Sequence, residues 1–204
     1  MMLDPGDAAA VVARQVRDSI ALKEHLLAQA DLIIQIATQT AEAFRRGNKV
    51  LLFGNGGSAA DAEHIACELA GKFYADREPL PAIALSSNTA SVTAIANDFG
   101  YDQVFARQLR GLVVKGDVVI GISTSGASPN VIAAIQEAER KGAITVAFTG
   151  GTGRLGQIAR YALSVPSTDT PRIQESHITA GHIISYLVEQ SLFGTSGHSG
   201  ASDE

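Results

Sequence analysis

The chain has 204 residues, of which 46% are hydrophobic and 18% are charged, and its formal net charge is −5. This composition is typical of a globular protein with a sizeable core, and it excludes an intrinsically disordered chain. The acidic balance and the lack of a basic block argue against a nucleic-acid-binding protein. Small anionic ligands stay possible, because backbone dipoles bind anions without net positive charge.

Cysteine content and hydropathy indicate the compartment. The single cysteine, Cys67, excludes an intramolecular disulfide framework. The first ten residues lack the basic start and apolar run of a signal peptide, and no stretch of about 18 uncharged apolar residues occurs. We therefore expect a cytoplasmic protein that does not associate with membranes.

The first region of the chain, residues 7–46, is predicted to be helical. Apolar residues recur there at helical spacing, as in one helix or a pair of helices, and Gly47 and Asn48 end the pattern. An apolar face ahead of the first strand needs a cover. That cover is either the core of the same domain or another subunit.

After Lys49, short apolar runs alternate with helical stretches. The runs predict five strands, at Val50–Phe53, Ala82–Leu85, Val118–Ile122, Thr145–Phe148 and Ala162–Val165. The helical stretches are Ser58–Lys72, Thr89–Asn97, Val104–Val114, Ser128–Lys141, Leu155–Arg160 and a long final helix, Arg172–Phe193. This alternation predicts a doubly wound, flavodoxin-like α/β fold with a five-stranded, mainly parallel sheet and helices on both faces. Ligands of such folds bind beyond the carboxyl ends of the strands.

The segment Lys49–Gly71 is the most informative part of the chain. It predicts a buried strand, a turn at Asn55, Gly56 and Gly57, and a helix that starts near Ser58. Free N–H groups and the positive end of the helix dipole meet at such a start, and the glycines allow an anion to approach the backbone. The segment therefore predicts a binding site for a phosphate or a similar anion.

His64 and Glu68 follow on this helix at positions i and i+4, which places them on one face. A pair of this kind is often only a solvated pair at the surface. Its position just after the predicted anion site favours a role in acid/base chemistry or metal binding instead. A dinucleotide site is disfavoured, because Ser86 and Ser87 stand after the second strand where such a site needs an acid.

A second polar loop follows the third strand. It carries four hydroxyl groups within six residues, on Ser123, Thr124, Ser125 and Ser128. Ser128 suits a helix N-cap, with Pro129 at the first helical position. Because a cap needs only one hydroxyl, we interpret the group as a ring of donors for phosphate oxygens.

The motifs GNGGSAADAEH, IANDFGYD, GISTSGASPN and RIQESHITAGH together resemble those of sugar isomerase (SIS) domains. From about Asp7 to Phe193, the chain most resembles the phosphoheptose isomerases. The resemblance implies interconversion of sedoheptulose 7-phosphate and D-glycero-D-manno-heptose 7-phosphate through an enediol, the first step of heptose precursor synthesis for surface polysaccharide. It also implies one zinc per subunit and a homotetramer with active sites at subunit interfaces.

The same resemblance implies roles for individual residues. The implied substrate-binding residues are Asn55, Gly56, Gly57, Ser58, Asn97, Asp98, Ser123, Thr124, Ser125, Ser128 and Gln174. The implied zinc ligands are His64, Glu68, Gln174 and His182. Glu68 and His182 are also the implied acid/base pair. Because a metal-bound carboxylate is a weaker base, Glu68 cannot be a permanent ligand and an efficient base in the same state.

The resemblance also implies a domain organisation. Residues 1–204 are expected to form one SIS domain, with N-terminal helices at 7–46, an α/β core at 49–166, a C-terminal helix at 172–193 and a disordered tail at 194–204. The roles of Asp61, Asp169, Arg172 and His177 stay open. Asp61 either joins the face of His64 or serves the helix dipole, and Asp169 and Arg172 border the final helix within reach of a sugar hydroxyl or a phosphate.

The alternative function is that of a non-catalytic SIS-domain protein, of the type that binds the replication initiator. Those relatives resemble much of the chain but lack a carboxylate at the position of Glu68 and a histidine at that of His182. Retention of both residues favours the isomerase. Metal content separates the two functions, because a binding protein would hold no stoichiometric zinc.

Overall fold

The computed structural model describes residues 4–151 and 153–194. Two helices, α1 (Pro5–Leu27) and α2 (Ala30–Arg45), precede the first strand. The strands are β1 (Val50–Gly54), β2 (Ala82–Ala84), β3 (Val118–Ser123), β4 (Ile144–Gly150) and β5 (Tyr161–Val165). The other α-helices are α3 (Gly57–Ala70), α4 (Thr89–Phe99), α5 (Val104–Leu112), α6 (Pro129–Arg140), α7 (Leu155–Ile158) and α8 (Thr170–Phe193). A 3₁₀ helix, Tyr101–Gln103, links α4 to α5.

The five strands form one parallel sheet in the order β2-β1-β3-β4-β5. This order confirms the predicted doubly wound fold. Because β1 and β3 are neighbours and parallel, the loops that follow them leave the same edge of the sheet side by side. The strand order changes direction between these two strands, which is where doubly wound proteins bind their ligands.

Both faces of the sheet are buried under helices. On one face, Leu52 belongs to a core that includes Ile36 of α2 and Ile184 of α8. On the other face, the Phe53 ring stacks on the Phe105 ring of α5, with centroids 5.1 Å apart. Burial on both faces explains why the strands appear in the sequence as unbroken apolar runs rather than as alternating ones.

The predicted bounds of the helices and strands agree with the structure to within about two residues. The N-terminal region is a pair of helices, which is one of its two predicted arrangements. The predicted final tail lies, from residue 195 onward, outside the described residues. Helix α5 ends at Leu112, two residues before its predicted end. The reason is that the buried Asp117 carboxylate accepts a hydrogen bond from the N–H of Val114 at 2.8 Å and holds it outside the helix.

None of the described helices combines the length and the apolar character that a membrane crossing requires.

His177 lies on α8 and is fully buried against β4, where its ring centroid is 5.7 Å from that of Phe148. Among the described residues, neither ring nitrogen has a hydrogen-bond partner of normal geometry. Burial lowers the pKa of His177 to about 4, and the backbone of Thr149 offsets this effect only in part. The ring is therefore neutral at pH 7.

Replacement of this histidine tests its buried, neutral state. Because the pKa of His177 falls from 6.5 to about 4 on folding, its contribution to stability is present above pH 6.5 and is lost between pH 6.5 and 4. We expect His177→Leu to remove about 3 kcal/mol of acid destabilisation across this window. Urea unfolding of wild type and variant at pH 7.5, 6, 5 and 4 measures the free energy of unfolding across the window. If the stability of the variant depended on pH as that of wild type does, the lowered pKa of His177 would be contradicted.

Candidate active site

The turn between β1 and α3 opens the site. Gly56 has a φ of 55°, a conformation that favours glycine, and α3 begins at Gly57. The backbone N–H groups of Ser58 and Ala59 donate to the carbonyl oxygens of Asn55 and Gly56, each at 3.0 Å. The predicted anion site therefore offers fewer free backbone N–H groups than the sequence suggests, because these two already donate to carbonyl oxygens.

Helices α3 and α8 lie side by side and bring three predicted residues together. The Nε2 atom of His64 lies 3.1 Å from Glu68 Oε1 and 3.2 Å from Nε2 of His182, a residue 118 positions away in the chain. About half of the His64 side chain and a quarter of the Glu68 side chain are exposed. Two imidazoles and a carboxylate therefore meet in an accessible cluster.

This trio has the geometry of a metal site. One nitrogen, a carboxylate oxygen and a second nitrogen all lie within 4.8 Å of one another. Two neutral imidazole nitrogens and a carboxylate oxygen are the donor set of many catalytic zinc sites. In a tetrahedral site, ligand atoms that lie about 2 Å from the ion are roughly 3.3 Å from one another. The two short contacts of His64 match this spacing, so the residues fit a divalent cation.

Gln174, the fourth predicted ligand, lies at the start of α8 beside the glycine turn. A Cβ atom added to Gly57 would lie 2.2 Å from its Nε2 atom. The amide therefore contacts the turn predicted to bind substrate. Its role as a metal ligand stays a prediction.

The hydroxyl loop after β3 is compact. Ser123 Oγ lies 2.9 Å from Ser128 Oγ and 3.4 Å from Ser125 Oγ. Ser128 occupies the N-cap position of α6, as predicted, but its side chain makes no capping hydrogen bond. The prediction that the Ser128 side chain caps α6 is therefore wrong. Its hydroxyl instead joins those of Ser123 and Ser125.

A cleft of about 540 Å³ opens beside this loop at the carboxyl ends of the last three strands. Its lining is rich in hydroxyl groups and glycines: Thr124, Ser125, Gly150, Gly151, Pro166, Ser167 and Thr168. Small residues and hydroxyls at the ends of parallel strands suit a polar ligand of modest size.

Asn97 and Asp98, predicted to bind substrate, lie near the end of α4. Both are exposed, and Asn97 Nδ2 donates to Asp98 Oδ1 at 2.8 Å. Among the described residues, they make no hydrogen bond to the trio or to the hydroxyl loop. The structure therefore leaves their predicted role untested.

The residues that the sequence left open have distinct surroundings. Arg172 does not reach the hydroxyl loop, because Nη1 donates to the Gln15 carbonyl of α1 at 2.7 Å and Nη2 pairs with Glu175. Asp61 lies beyond the first turn of α3 and has a buried oxygen without a partner among the described residues. Burial raises the pKa of Asp61 to about 6, while the charge of His64 acts in the opposite direction.

A buried ion pair that sequence reasoning missed holds the C-terminal end of α3. Arg77 donates from Nη2 to the carbonyl oxygen of Glu68 at 2.9 Å and pairs through Nε with Glu189 of α8 at 3.0 Å. Burial alone would raise the pKa of Glu189, but hydrogen bonds from Ala75, Tyr74, Phe73 and Arg77 hold it below its usual value. The pair therefore ties α3 to α8 beyond the trio.

Two further residues at the site were also missed. Tyr101 donates from its hydroxyl to Asn55 Oδ1 at 3.1 Å, and Asn130 forms a pair of hydrogen bonds with Asn55. Both stand inside the motifs IANDFGYD and GISTSGASPN, so their position in those motifs was the available signal.

The contact between α3 and α8 can be tested at Gly181. An added Cβ would lie 2.5 Å from Cδ1 of Ile65, which is buried. We expect Gly181→Ala to lower the free energy of unfolding by about 1–3 kcal/mol and to weaken metal binding, because α8 must move away from α3. Denaturant unfolding and metal titration measure the two effects.

The control for this variant is Gly111→Ala. Gly111 lies in α5, and nothing is within 4 Å of its added Cβ. We expect Gly111→Ala to leave metal affinity unchanged, and to leave the free energy of unfolding unchanged or raise it by up to about 1 kcal/mol. Wild-type metal affinity in Gly181→Ala would show that this packing does not position His182.

Comparison with known proteins places the chain in a family. Residues 15–150 match the family model of the SIS domain. The chain is 50% identical over 186 residues to a phosphoheptose isomerase of Aneurinibacillus thermoaerophilus, which covers 89% of this chain and 94% of the relative. It is 54% identical over 164 residues to one from Aquifex aeolicus, covering 80% and 86%.

Solved structures agree with this placement. A phosphoheptose isomerase structure from Neisseria gonorrhoeae superposes with a TM-score of 0.85 at 37% identity, and covers 90% of this chain and 99% of that one. These matches give no support to the non-catalytic alternative. With a parallel sheet in the expected order and the trio formed between α3 and α8, the chain belongs to the phosphoheptose isomerase family of SIS-domain proteins.

Proposed function

We propose that this enzyme interconverts sedoheptulose 7-phosphate and D-glycero-D-manno-heptose 7-phosphate. The observation that carries the proposal is the meeting of Glu68 and His182, together with His64, where α3 packs against α8. Aldose–ketose isomerisation needs a base for carbon and a second group for the oxygens. Relatives about 50% identical over most of the chain carry the name of this activity.

Glu68 is proposed to move the proton between the two carbons. Its carboxylate removes a proton from C1 of the ketose, which leaves a C1–C2 enediol, and returns the proton to C2. Oε1 faces His64 at 3.1 Å, while Oε2 makes no hydrogen bond among the described residues. One oxygen is thus held in place while the other remains for proton transfer.

His182 is proposed to move the proton between the two oxygens. It protonates the ketone oxygen O2 as the C1 proton leaves, and it accepts the proton of the C1 hydroxyl as the aldehyde forms. Imidazole suits both steps because it can both donate and accept a proton. Its packing against Phe73, with ring centroids 5.8 Å apart, orients the ring.

The phosphate is proposed to bind at the hydroxyl loop and the glycine turn. Ser123, Ser125 and Ser128 already point toward one another, and hydroxyl groups donate to phosphate oxygens. Thr124 lines the adjacent cleft. The sugar would extend from there toward the trio, within reach of Gln174, and Asn97 and Asp98 complete the proposed set.

Zinc is the proposed cation, one per subunit, held by His64, Glu68 and His182 with Gln174 as a fourth ligand. When bound, zinc supplies a Lewis acid that polarises a carbonyl oxygen. The donor set supports zinc over magnesium or calcium, because those ions prefer oxygen ligands.

The proposal extends to assembly and location. We infer one SIS domain over residues 1–204, assembled as a homotetramer with active sites at subunit interfaces. Large apolar side chains on α1 remain exposed, with Val12, Val16 and Ile20 each more than half accessible, and this supports burial by another subunit. A cytoplasmic location is inferred because charged sugar phosphates do not cross membranes unaided.

The direct test is turnover of sedoheptulose 7-phosphate by the purified protein, followed as the aldose product. We expect activity with zinc, loss of activity after chelation, and recovery when zinc is added back. Activity that survives chelation would remove the metal from the mechanism. A folded, zinc-loaded protein without turnover would contradict the proposed function.

The role of the carbon base is tested by Glu68→Gln. The amide cannot accept the C1 proton, so we expect kcat to fall at least about 1,000-fold with a smaller change in KM. Solvent deuterium incorporation into substrate should fall in parallel. Glu63→Gln is the matched control, because Glu63 lies on the same helix and, among the described residues, its side chain accepts a hydrogen bond only from Ser86. One tenth of wild-type kcat in Glu68→Gln would exclude Glu68 as the base.

A further inference from the structure

Three residues from separate parts of the chain form a polar cluster between the glycine turn after β1 and the hydroxyl loop after β3. Asn55 follows β1, Asn130 lies in the first turn of α6, and Tyr101 lies in the 3₁₀ helix. The amides of Asn55 and Asn130 exchange hydrogen bonds of 2.8 and 2.9 Å. Asn130 is 2% exposed, so its side chain belongs to the interior of the site.

The orientation of the Asn130 amide is determined by the backbone. The N–H of Val131 donates to Asn130 Oδ1 at 3.0 Å, and only an oxygen can accept that bond. Nδ2 of Asn130 therefore faces Asn55 and donates to Asn55 Oδ1. An amide flip of Asn130 would place two N–H donors against each other.

The orientation of the Asn55 amide follows. Its Oδ1 accepts from Asn130 Nδ2 at 2.8 Å and from the Tyr101 hydroxyl at 3.1 Å, which uses both lone pairs. Its Nδ2 donates one hydrogen to Asn130 Oδ1 at 2.9 Å. The second hydrogen has no acceptor among the described residues, and Asn55 is partly exposed. One amide donor is thus presented at the glycine turn.

Asn130 also determines what Ser128 does. Val131 is the third helical residue of α6, so its N–H is one that an N-cap hydroxyl would normally satisfy. Because Asn130 takes this N–H with its own side chain, the Ser128 hydroxyl is released and lies 2.9 Å from Ser123 Oγ. A single buried amide therefore organises both loops.

We propose that Asn130 is a positioning residue for substrate binding: it orients the Asn55 amide so that an N–H faces a substrate oxygen, and it frees Ser128 for the phosphate. Tyr101 is the second donor that holds the Asn55 carbonyl. The inference rests on the proposed function, since it takes the ligand to be a sugar phosphate bound between these loops. No contact between Asn130 and substrate is needed.

The test is Asn130→Asp, which keeps the shape of the side chain. An ionised carboxylate cannot donate to Asn55 Oδ1, so the Asn55 amide loses its orientation. A protonated carboxyl can donate again. We expect KM for sedoheptulose 7-phosphate, relative to wild type, to rise about tenfold or more at pH 8 and to return toward the wild-type value as pH falls to 5.5. The change in kcat should be less than about threefold.

Two variants accompany it. Tyr101→Phe removes one donor without adding charge, so KM should rise about two- to threefold with no pH dependence. Asn48→Asp is the control for destabilisation, because Asn48 bonds Asp117 and Lys115 at the opposite edge of the sheet. It should lower the melting temperature and leave KM unchanged. A pH-independent change in Asn130→Asp, or equal losses in both Asp variants, would overturn the positioning role.

A second measurement separates this inference from the proposed function. Turnover by wild type decides the function by itself. The positioning role is also tested by the affinity for inorganic phosphate, measured by calorimetry at pH 8. Asn130→Asp should bind phosphate at least about tenfold more weakly than wild type. If wild type is inactive but this difference is found, only the function fails. Equal phosphate affinity in both proteins would overturn the inference even in an active enzyme.

Discussion

Helices α3 and α8 meet where Gly181 lies against Ile65, and the candidate active site depends on that contact. With no side chain at Gly181, the two helices approach closely enough for the rings of His64 and His182 to come within 3.2 Å. Any larger residue would collide with a buried isoleucine. The proposed acid/base pair and the proposed metal site are therefore consequences of helix packing, because neither helix carries the full set of ligands.

A buried charge pair supports the same arrangement from the far end of α3. Glu189 accepts three backbone N–H groups and the Nε of Arg77, and Arg77 in turn bonds the carbonyl oxygen of Glu68. Buried charges are costly unless they are paired and hydrogen-bonded. Here the hydrogen bonds satisfy the charges, so the pair joins the chain just after α3 to α8 with little freedom to shift.

The loop after β1 and the loop after β3 are joined by amides rather than by charges. Asn55 and Asn130 connect the loop after β1 to the loop after β3, and this connection is possible because the two strands are neighbours in the sheet. A sugar phosphate carries its own negative charge, and the chain is acidic overall. Neutral donors held in one orientation therefore suit the proposed substrate without placing a carboxylate near its phosphate.

Local sequence patterns were enough to predict the alternation of strands and helices, the helix with His64 and Glu68 on one face, and the hydroxyl loop, because these features depend on local periodicity and turn chemistry. They did not determine that Ser128 leaves its cap, that Asn130 orients Asn55, or that Arg77 pairs with Glu189. The approach of His182 to His64 entered the sequence analysis only through family resemblance. These features join residues distant in the chain, and only the packing of parallel strands and helices in the tertiary structure decides such contacts.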